Sequence, residues 1–391
     1  MPVSIPAVQQ ALQEEGLDGW LLYDFHGSNP IARDIAGIGD GVKTTRRWYY
    51  MIPASGEPRK LVHAIESFNL DHLQGGKTVY SQRDTLASGL KSVVGGAKRI
   101  AMEYSPGNAI PYISRVDAGT VEAVRQLGVD VVSSGDLVQR FEAIWSAQAL
   151  ETHRAASERL YRIKDRAFEM VRESRRAKRT LTELDVQRAM VRWFEEEGLT
   201  TDSPPVVAAQ ENAGDPHYGP SEQKHRAINE GEVVLLDLWG KLPVAGSVYA
   251  DITWVGFTAS SVPEKYVKAF NAARDGRDAA VRLVQQRVAA GQDVRGYEVD
   301  RTCRDVLEQA GFGPQFVHRT GHSLGTSVHG NGVHMDDYET HDERRLIAGT
   351  GFTIEPGVYT KEFGVRTEIN MYVGAREATV TGPLQKDFVL L

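Results

Sequence analysis

Cysteine is almost absent from this chain: Cys303 is the one example in 391 residues. An intrachain disulfide is therefore excluded, and so is any metal site closed by thiolates. Cys303 lies in the helical pattern EVDRTCRDVLEQA, which reads as a buried structural thiol. No apolar run reaches membrane-spanning length. The opening MPVSIPAVQQALQEEG lacks the basic start and apolar centre of a secretory signal, so a cytoplasmic location is expected. No glycine-rich phosphate loop follows a strand, which leaves nucleotide binding unsupported. Basic charge is also short. Lys and Arg total 45 against 52 Asp and Glu, a net charge of −7, which argues against nucleic-acid or anionic-membrane partners. The basic run ESRRAKR (Glu173 to Arg179) closes a helical stretch, where cations complement the helix dipole.

What is present is enough for two domains. An apolar fraction of 41% is ordinary for a chain with a full core. The first 140 or so residues alternate helical and strand patterns. Ala7 to Glu15 reads as helix; Gly19 to Phe25, Trp48 to Pro53 and Lys60 to Ala64 read as strands. This is an α/β domain, expected over residues 1–145. From about Ser146 the texture changes. A long helix over Ala147 to Arg176 is followed by a second, with a capping box expected at Thr180 and Glu183. The apolar segments PPVVAAQ, EVVLLDLWG and YADITWVGF follow. The pattern then restarts: a capping box at Ser261 and Glu264, a helix to about Ala290, a second from Val294 to Ala310, then strands GFTIEPGVY and VRTEINMYV. Residues 146–391 thus read helix–helix–strand–strand, twice, an architectural repeat without sequence identity.

Acids fall at matching places in the two halves. Asp237 and Asp251 lie on the first strand pair, 14 positions apart, and Glu355 and Glu368 on the second, 13 apart. Facing strand pairs would bring four carboxylates to one pseudo-twofold axis. His322, in TGHSLG, adds an imidazole. Carboxylates inside apolar strands repel one another unless cations neutralise them. Four oxygen donors and one nitrogen exceed a structural zinc site and suit two divalent cations that activate water.

The segments LLDLWG, YADITWVGF, TGHSLG, TIEPGVY and GVRTEIN together resemble the pita-bread metallopeptidases, which include methionine aminopeptidase, aminopeptidase P and prolidase. The resemblance covers the C-terminal 240 or so residues, and the N-terminal domain resembles the creatinase-type domain of aminopeptidase P and prolidase. It implies an α/β creatinase-like domain followed by an α+β pita-bread catalytic domain with internal pseudo-twofold repeat. It also implies metal ligands Asp237, Asp251, His322, Glu355 and Glu368, of which Asp251 and Glu368 bridge two metals. Glu355 resembles the residue that moves a proton from a metal-bridging hydroxide or water to the leaving nitrogen. His217 (DPHYGP), His318 (VHRTGH), His329 (SVHG), Arg366 and Tyr359 match substrate-side or catalytic positions. The metal implied is manganese, with cobalt or zinc as alternatives.

The resemblance implies cleavage of Xaa-Pro dipeptides, a prolidase activity, with aminopeptidase P action on longer peptides as the alternative. A dipeptidase must satisfy a free carboxylate; the stretch HDERR offers His341, Arg344 and Arg345 for it. A homodimer is implied as well, with the loop YDFHGSNP, carrying Asp24 and His26, near a pocket mouth. Two departures stand out. Most relatives space the first two aspartates 11 apart rather than 14, and an acid often stands near Glu368 where this chain has Asn370. Two other function classes compete. A serine hydrolase would use His322 and Ser323, but no G-x-S-x-G elbow is present. A non-catalytic binding module of this fold would be expected to lose the ligand set.

Overall fold

The computed structural model describes residues 2–39 and 41–391. It divides into two compact units, Met1–Glu142 and Ala143–Leu391. Among the described residues no helix is long and apolar enough to cross a membrane.

The first unit is built on one mixed sheet. Its strands are β1 (Gly19–Asp24), β2 (Trp48–Pro53), β3 (Arg59–His63), β4 (Gly76–Tyr80), β5 (Arg99–Met102) and β6 (Asp130–Ser133), in the order β4-β3-β2-β1-β5-β6. β1 runs antiparallel to β2 and parallel to β5. Side chains alternate across a strand, and both faces here are covered. Trp20, Leu22, Tyr50 and Ile52 join one apolar cluster with Val8 and Leu12 of helix α1 (Ile5–Glu14). Leu21, Tyr23, Tyr49 and Met51 join another with Leu90 and Val93 of α3 (Arg83–Val94) and Val121 and Val124 of α4 (Ala118–Arg125). Two short helices, α2 (Pro30–Ile35) and α5 (Gly135–Val138), complete the unit.

The second unit contains the repeat. Helices α6 (Ala147–Arg176) and α7 (Glu183–Glu196) precede β7 (Val206–Ala209), β8 (Val233–Gly240) and β9 (Ala250–Phe257). Helices α8 (Glu264–Ala289) and α9 (Gly296–Gln309) precede β10 (Ser323–Leu324), β11 (Gly351–Ile354), β12 (Gly357–Tyr359), β13 (Gly364–Arg366), β14 (Ile369–Val373) and β15 (Ala378–Val380). A final strand, β16 (Val389–Leu390), adds to β9 in parallel. Two four-stranded sheets result, β16-β9-β8-β7 and β10-β11-β14-β15, with β12 and β13 as a separate ribbon.

The helix starts depart from expectation in two places. The capping box of α7 is Thr182 with Asp185, not Thr180 with Glu183. Glu183 is instead fully buried. It accepts from the backbone N–H groups of Ala209 (2.6 Å) and Arg226 (2.9 Å), from the Asn212 amide and from the Tyr218 hydroxyl. Its carboxylate organises the neighbouring loop, so a second helix-capping role is not open to it. At α8 the residue before the helix is Pro263, with no side-chain cap, so Ser261 and Glu264 do not form a box. Proline fixes φ in a helix-compatible range and positions the entry by itself. Cys303 is buried in α9, and burial pushes its thiol up to about 12, a poor nucleophile.

Candidate metal centre

The longer β8–β9 hairpin keeps its acids on one face. Asp237 stands opposite Thr253 and Trp239 opposite Asp251. Directly opposed residues share a face and so do residues two apart on a strand. Asp237 and Asp251 therefore point to the same side, and the extra residues sit in the turn after Gly240. In the other half, Glu355 follows β11 directly and Glu368 directly precedes β14. His322 directly precedes β10.

The two sheets are joined beside these acids. The Asn370 side chain accepts from the Asp251 N–H (3.0 Å) and donates to the Asp251 carbonyl (2.5 Å). The Glu368 N–H donates to the Thr253 carbonyl at 3.1 Å. An amide can make both backbone contacts at once; a carboxylate has no donor for the carbonyl. The departure at Asn370 thus has a structural task.

Two threonines hold the carboxylates in parallel ways. The Thr253 hydroxyl accepts from Arg366 Nε (3.0 Å) and donates to Glu368 Oε2 (2.7 Å). The Thr353 hydroxyl accepts from the His322 N–H (2.9 Å) and donates to Glu355 Oε1 (3.1 Å). Neither threonine was singled out in the sequence. The available signal was spacing: each lies two positions from an acid, the interval that puts side chains on one side of an extended chain.

Ligand-type atoms of Asp251, His322 and Glu368 all lie within 4.8 Å of one another, and all three residues are buried. His322 Nε2 is 3.6 Å from Asp251 Oδ2 and 3.4 Å from Glu355 Oε1. Its other nitrogen, Nδ1, is 3.2 Å from the Ser323 carbonyl, which can only accept. Nδ1 therefore carries the proton and Nε2 presents a lone pair to two carboxylates. Lone pairs facing carboxylate oxygens repel unless a metal cation or a proton lies between them. Asp237 takes its positive charge from Arg366, whose Nη2 contacts Asp237 Oδ2.

Titration follows from this crowding. Burial pushes Asp251 and Glu368 well above the carboxylate range, and neighbouring acids push further. Burial raises Asp237 to about 7, against the pull of Arg366. Burial alone would also raise Glu355, but the surrounding His322, His318, Arg366 and Arg319 more than offset it, so its pKa lies below the usual value. Burial lowers His322, keeping it neutral as a ligand requires. Asp251 Oδ1 is buried without a hydrogen-bond partner. An orphaned carboxylate oxygen in an oxygen-rich cluster with one free imidazole lone pair fits a hard or borderline divalent cation.

Around the acids runs a second network. His318 Nδ1 bonds the Arg319 carbonyl (2.7 Å), so its Nε2 accepts from the Tyr359 hydroxyl (2.8 Å). Tyr359 in turn accepts from Arg366 Nη1 at 3.0 Å. His329 packs edge-on against His322, with ring centroids 4.3 Å apart. Burial lowers His318 and His329 to about 4. Behind the histidine segment, α9 supplies a buried ion pair missed in the sequence. Asp300 accepts from the Thr320 N–H (2.8 Å), and Arg304 donates to the carbonyls of Phe316 (3.0 Å) and His318 (2.8 Å).

The remaining candidates are placed differently. His217 is exposed on the loop after Gly214, its N–H held by Asp215. His341 is exposed, paired with Asp337 (2.6 Å) and stacked on Tyr297. Arg345 is exposed, 3.4 Å from Asp293. Arg344 is buried, with its guanidinium bound to Asp342 and to the carbonyls of Asn331 and Gly332. In the first unit, Asp24 is fully buried. It accepts from the Gly27 and Asn29 N–H groups and the Thr44 hydroxyl, so its charge holds its own loop. His26 has φ of 59° and packs edge-on against the exposed Phe25. The Ser323 hydroxyl accepts from the Gly332 N–H, and His322 bonds the Ser323 carbonyl rather than the hydroxyl, so these two do not form the imidazole–hydroxyl pair of a serine hydrolase.

Two like sheets that converge acids and an imidazole on one buried cluster define a pita-bread metallohydrolase, preceded by an α/β unit of the kind found in prolidases and aminopeptidase P. The chain belongs to metallopeptidase family M24, whose model matches residues 151–375. It is 27% identical over 339 residues to a probable dipeptidase PepE of Mycobacterium tuberculosis, covering 85% of this chain and 82% of that protein. It is 30% identical over 164 residues to an Xaa-Pro dipeptidase of Lactobacillus helveticus, 42% of this chain and 40% of that one. The crystal structure of dipeptidase PepE from Mycobacterium ulcerans superposes with a TM-score of 0.72 at 23% identity, covering 99% of this chain and 96% of that one. This last likeness shows the shared fold.

Proposed function

We propose that this metallopeptidase hydrolyses the Xaa-Pro bond of dipeptides using two divalent cations, manganese by resemblance, held by Asp237, Asp251, His322, Glu355 and Glu368. The observation that carries the reading is the His322 Nε2 lone pair set between two carboxylates, beside the unpartnered Asp251 Oδ1. Cations bound there supply Lewis acidity, which makes water a nucleophile at neutral pH. Asp251 and Glu368 are the bridging candidates, one from each half of the repeat. Glu355 stays ionised because of the histidines and arginines around it, so it can take a proton from water and pass it to the leaving imide nitrogen. His318 and Tyr359 orient one another, and Arg366 fixes both Tyr359 and Asp237. His329 borders the ligand imidazole and is assigned to the substrate side.

His217 would reach substrate from its exposed loop. For the substrate carboxylate, His341 and Arg345 are the candidates of their stretch with solvent-facing N–H donors; Arg344 acts from behind, holding the Asn331–Gly332 turn. The names of the relatives support a dipeptidase. A homodimer in the cytoplasm, with His26 at a shared mouth, completes the reading. Aminopeptidase P action on longer peptides is the second reading, because the same acids serve both.

The test is a hydrolysis panel of Xaa-Pro dipeptides and Xaa-Pro tripeptides with added manganese, repeated after chelation. Dipeptide cleavage that chelation abolishes and metal restores is expected. Comparable tripeptide cleavage would favour aminopeptidase P; cleavage indifferent to chelator would overturn the metal assignment.

A further inference from the structure

The first unit carries a cavity that the peptidase reading does not use. It measures about 220 Å³ and is lined by Arg46, Arg47, His63, Arg83, Tyr80 and Phe25, with Leu86 and small polar residues completing the wall. No Asp or Glu lines it.

Its donors are arranged by the fold. Arg46 and Arg47 close the segment before β2, and the Tyr80 hydroxyl donates to the Arg47 carbonyl at 2.8 Å. That bond fixes the Arg47 backbone and sets its guanidinium beside the Tyr80 ring, where it pairs with no carboxylate among the described residues. His63, the last residue of β3, accepts from the Ile65 N–H at Nδ1 (3.1 Å). Its proton must then sit on Nε2, which is a donor. The His63 ring stands edge-on to Tyr80 with centroids 4.9 Å apart. Arg83 opens α3, a helix of 12 residues, so the positive end of a helix dipole adds to the side-chain charges. The nearest acids are themselves engaged, Asp84 by Arg83, so Arg46 and Arg47 supply the charge not already matched by a carboxylate among the described residues. Glu66 bonds the backbone N–H groups of Thr45 and Arg46 and the Asn69 amide, and Asp84 lies 3.6 Å from Arg83 at full exposure.

Three guanidiniums and an imidazole donor around a small cavity form a recognition site for an oxyanion, since guanidinium geometry matches carboxylate and phosphate oxygens. Phe25, 42% exposed, and Tyr80 add an aromatic wall that suits a flat apolar body carrying that charge. We propose that this cavity binds a small molecule bearing a phosphate or carboxylate group, at a site separate from the metal centre in residue content and in chain unit.

Calorimetric titration of the metal-loaded protein with inorganic phosphate, and separately with benzoate, tests the proposal in chloride buffers of rising ionic strength. Saturable binding that weakens with salt is expected. Arg47→Gln and the Arg46→Gln/Arg47→Gln double variant should weaken it at least tenfold, while Lys91→Gln, at the far end of α3, should leave it unchanged. Any anion held at the metal centre persists in all variants and is thereby separated. Tighter phosphate than benzoate assigns a phosphorylated ligand, and the reverse assigns an aromatic carboxylate. The absence of any saturable phase, or of any phase that the double variant loses, overturns the proposal.

Discussion

At the scale of single residues, two threonines hold acids of the centre in place. Thr253 and Thr353 each pass a hydroxyl proton to a carboxylate while accepting an N–H. Valine keeps the shape and removes both bonds. Thr253→Val and Thr353→Val should each lower metal affinity by roughly 10–100-fold, the range for partners behind a ligand, measured by metal titration. Removing a proposed ligand outright, as in Asp251→Ala or Glu368→Ala, should cost more than about 100-fold in kcat/KM. Wild-type turnover of either variant at stoichiometric metal would sink the assignment. Asn370→Ala leaves the Asp251 N–H and C=O unpaired; a loss of about 1–3 kcal/mol in urea unfolding is expected.

Glu103, in the first unit, gives a pH prediction free of metal. Burial raises its pKa from 4.5 to about 6, despite hydrogen bonds from Trp20, Asn29 and Ser134. The folded state then holds a proton that the unfolded state has released. Stability contributed by that proton is present below pH 4.5 and is lost as pH rises through about 6, a change of roughly 2 kcal/mol. Glu103→Gln should flatten this slope. The wild-type-minus-variant difference in unfolding free energy, measured between pH 4 and 7, checks it; a constant difference would show that burial leaves the Glu103 pKa at its unfolded value.

At the scale of elements, α9 acts on the centre from behind. Its Asp300–Arg304 pair is almost wholly buried and fixes Phe316, His318 and Thr320 by their backbones. Removing one partner leaves a buried charge unpaired, at about 3–5 kcal/mol. Arg304→Met should therefore destabilise strongly, whereas Asp300→Leu with Arg304→Met should recover much of the stability. The double variant would still lack the bonds that place His318, so kcat/KM should remain low. Recovery of both would mean the pair serves stability alone. Element positions were largely legible in the sequence: α6 spans Ala147–Arg176 and β2 spans Trp48–Pro53, as periodicity implied. Helix starts were less so. The choice between Thr180 and Thr182 as cap depended on where Glu183 was needed, and that was decided by the Ala209–Arg226 loop it binds.

At the scale of the whole molecule, each unit has its own apolar clusters. Those around Trp20 and Leu21 draw only on the first unit, and those around Phe257 and Leu236 only on the second. A ligand that binds the folded second unit stabilises that unit by mass action, about 2.7 kcal/mol at a free concentration 100 times Kd. Scanning calorimetry with and without chelator should therefore shift the transition of the second unit and leave that of the first in place. Equal shifts of both would show that the units unfold as one.

The sequence by itself determined the alternation of the first unit, the doubled helix–strand pattern of the second, and which acids stand in apolar strands. Those are local properties, set by periodicity and by the cost of burying charge. Tertiary structure alone decided which polar groups remained available. Asp24 and Arg344 carry charge in the sequence, yet each is enclosed by partners from its own loop or from the turn it supports. Asn370 looked like a lost acid and proved to be a two-way bond across the sheets. A hydrogen bond between residues more than a hundred positions apart leaves no trace in composition or spacing; it exists only once two strands have been brought side by side.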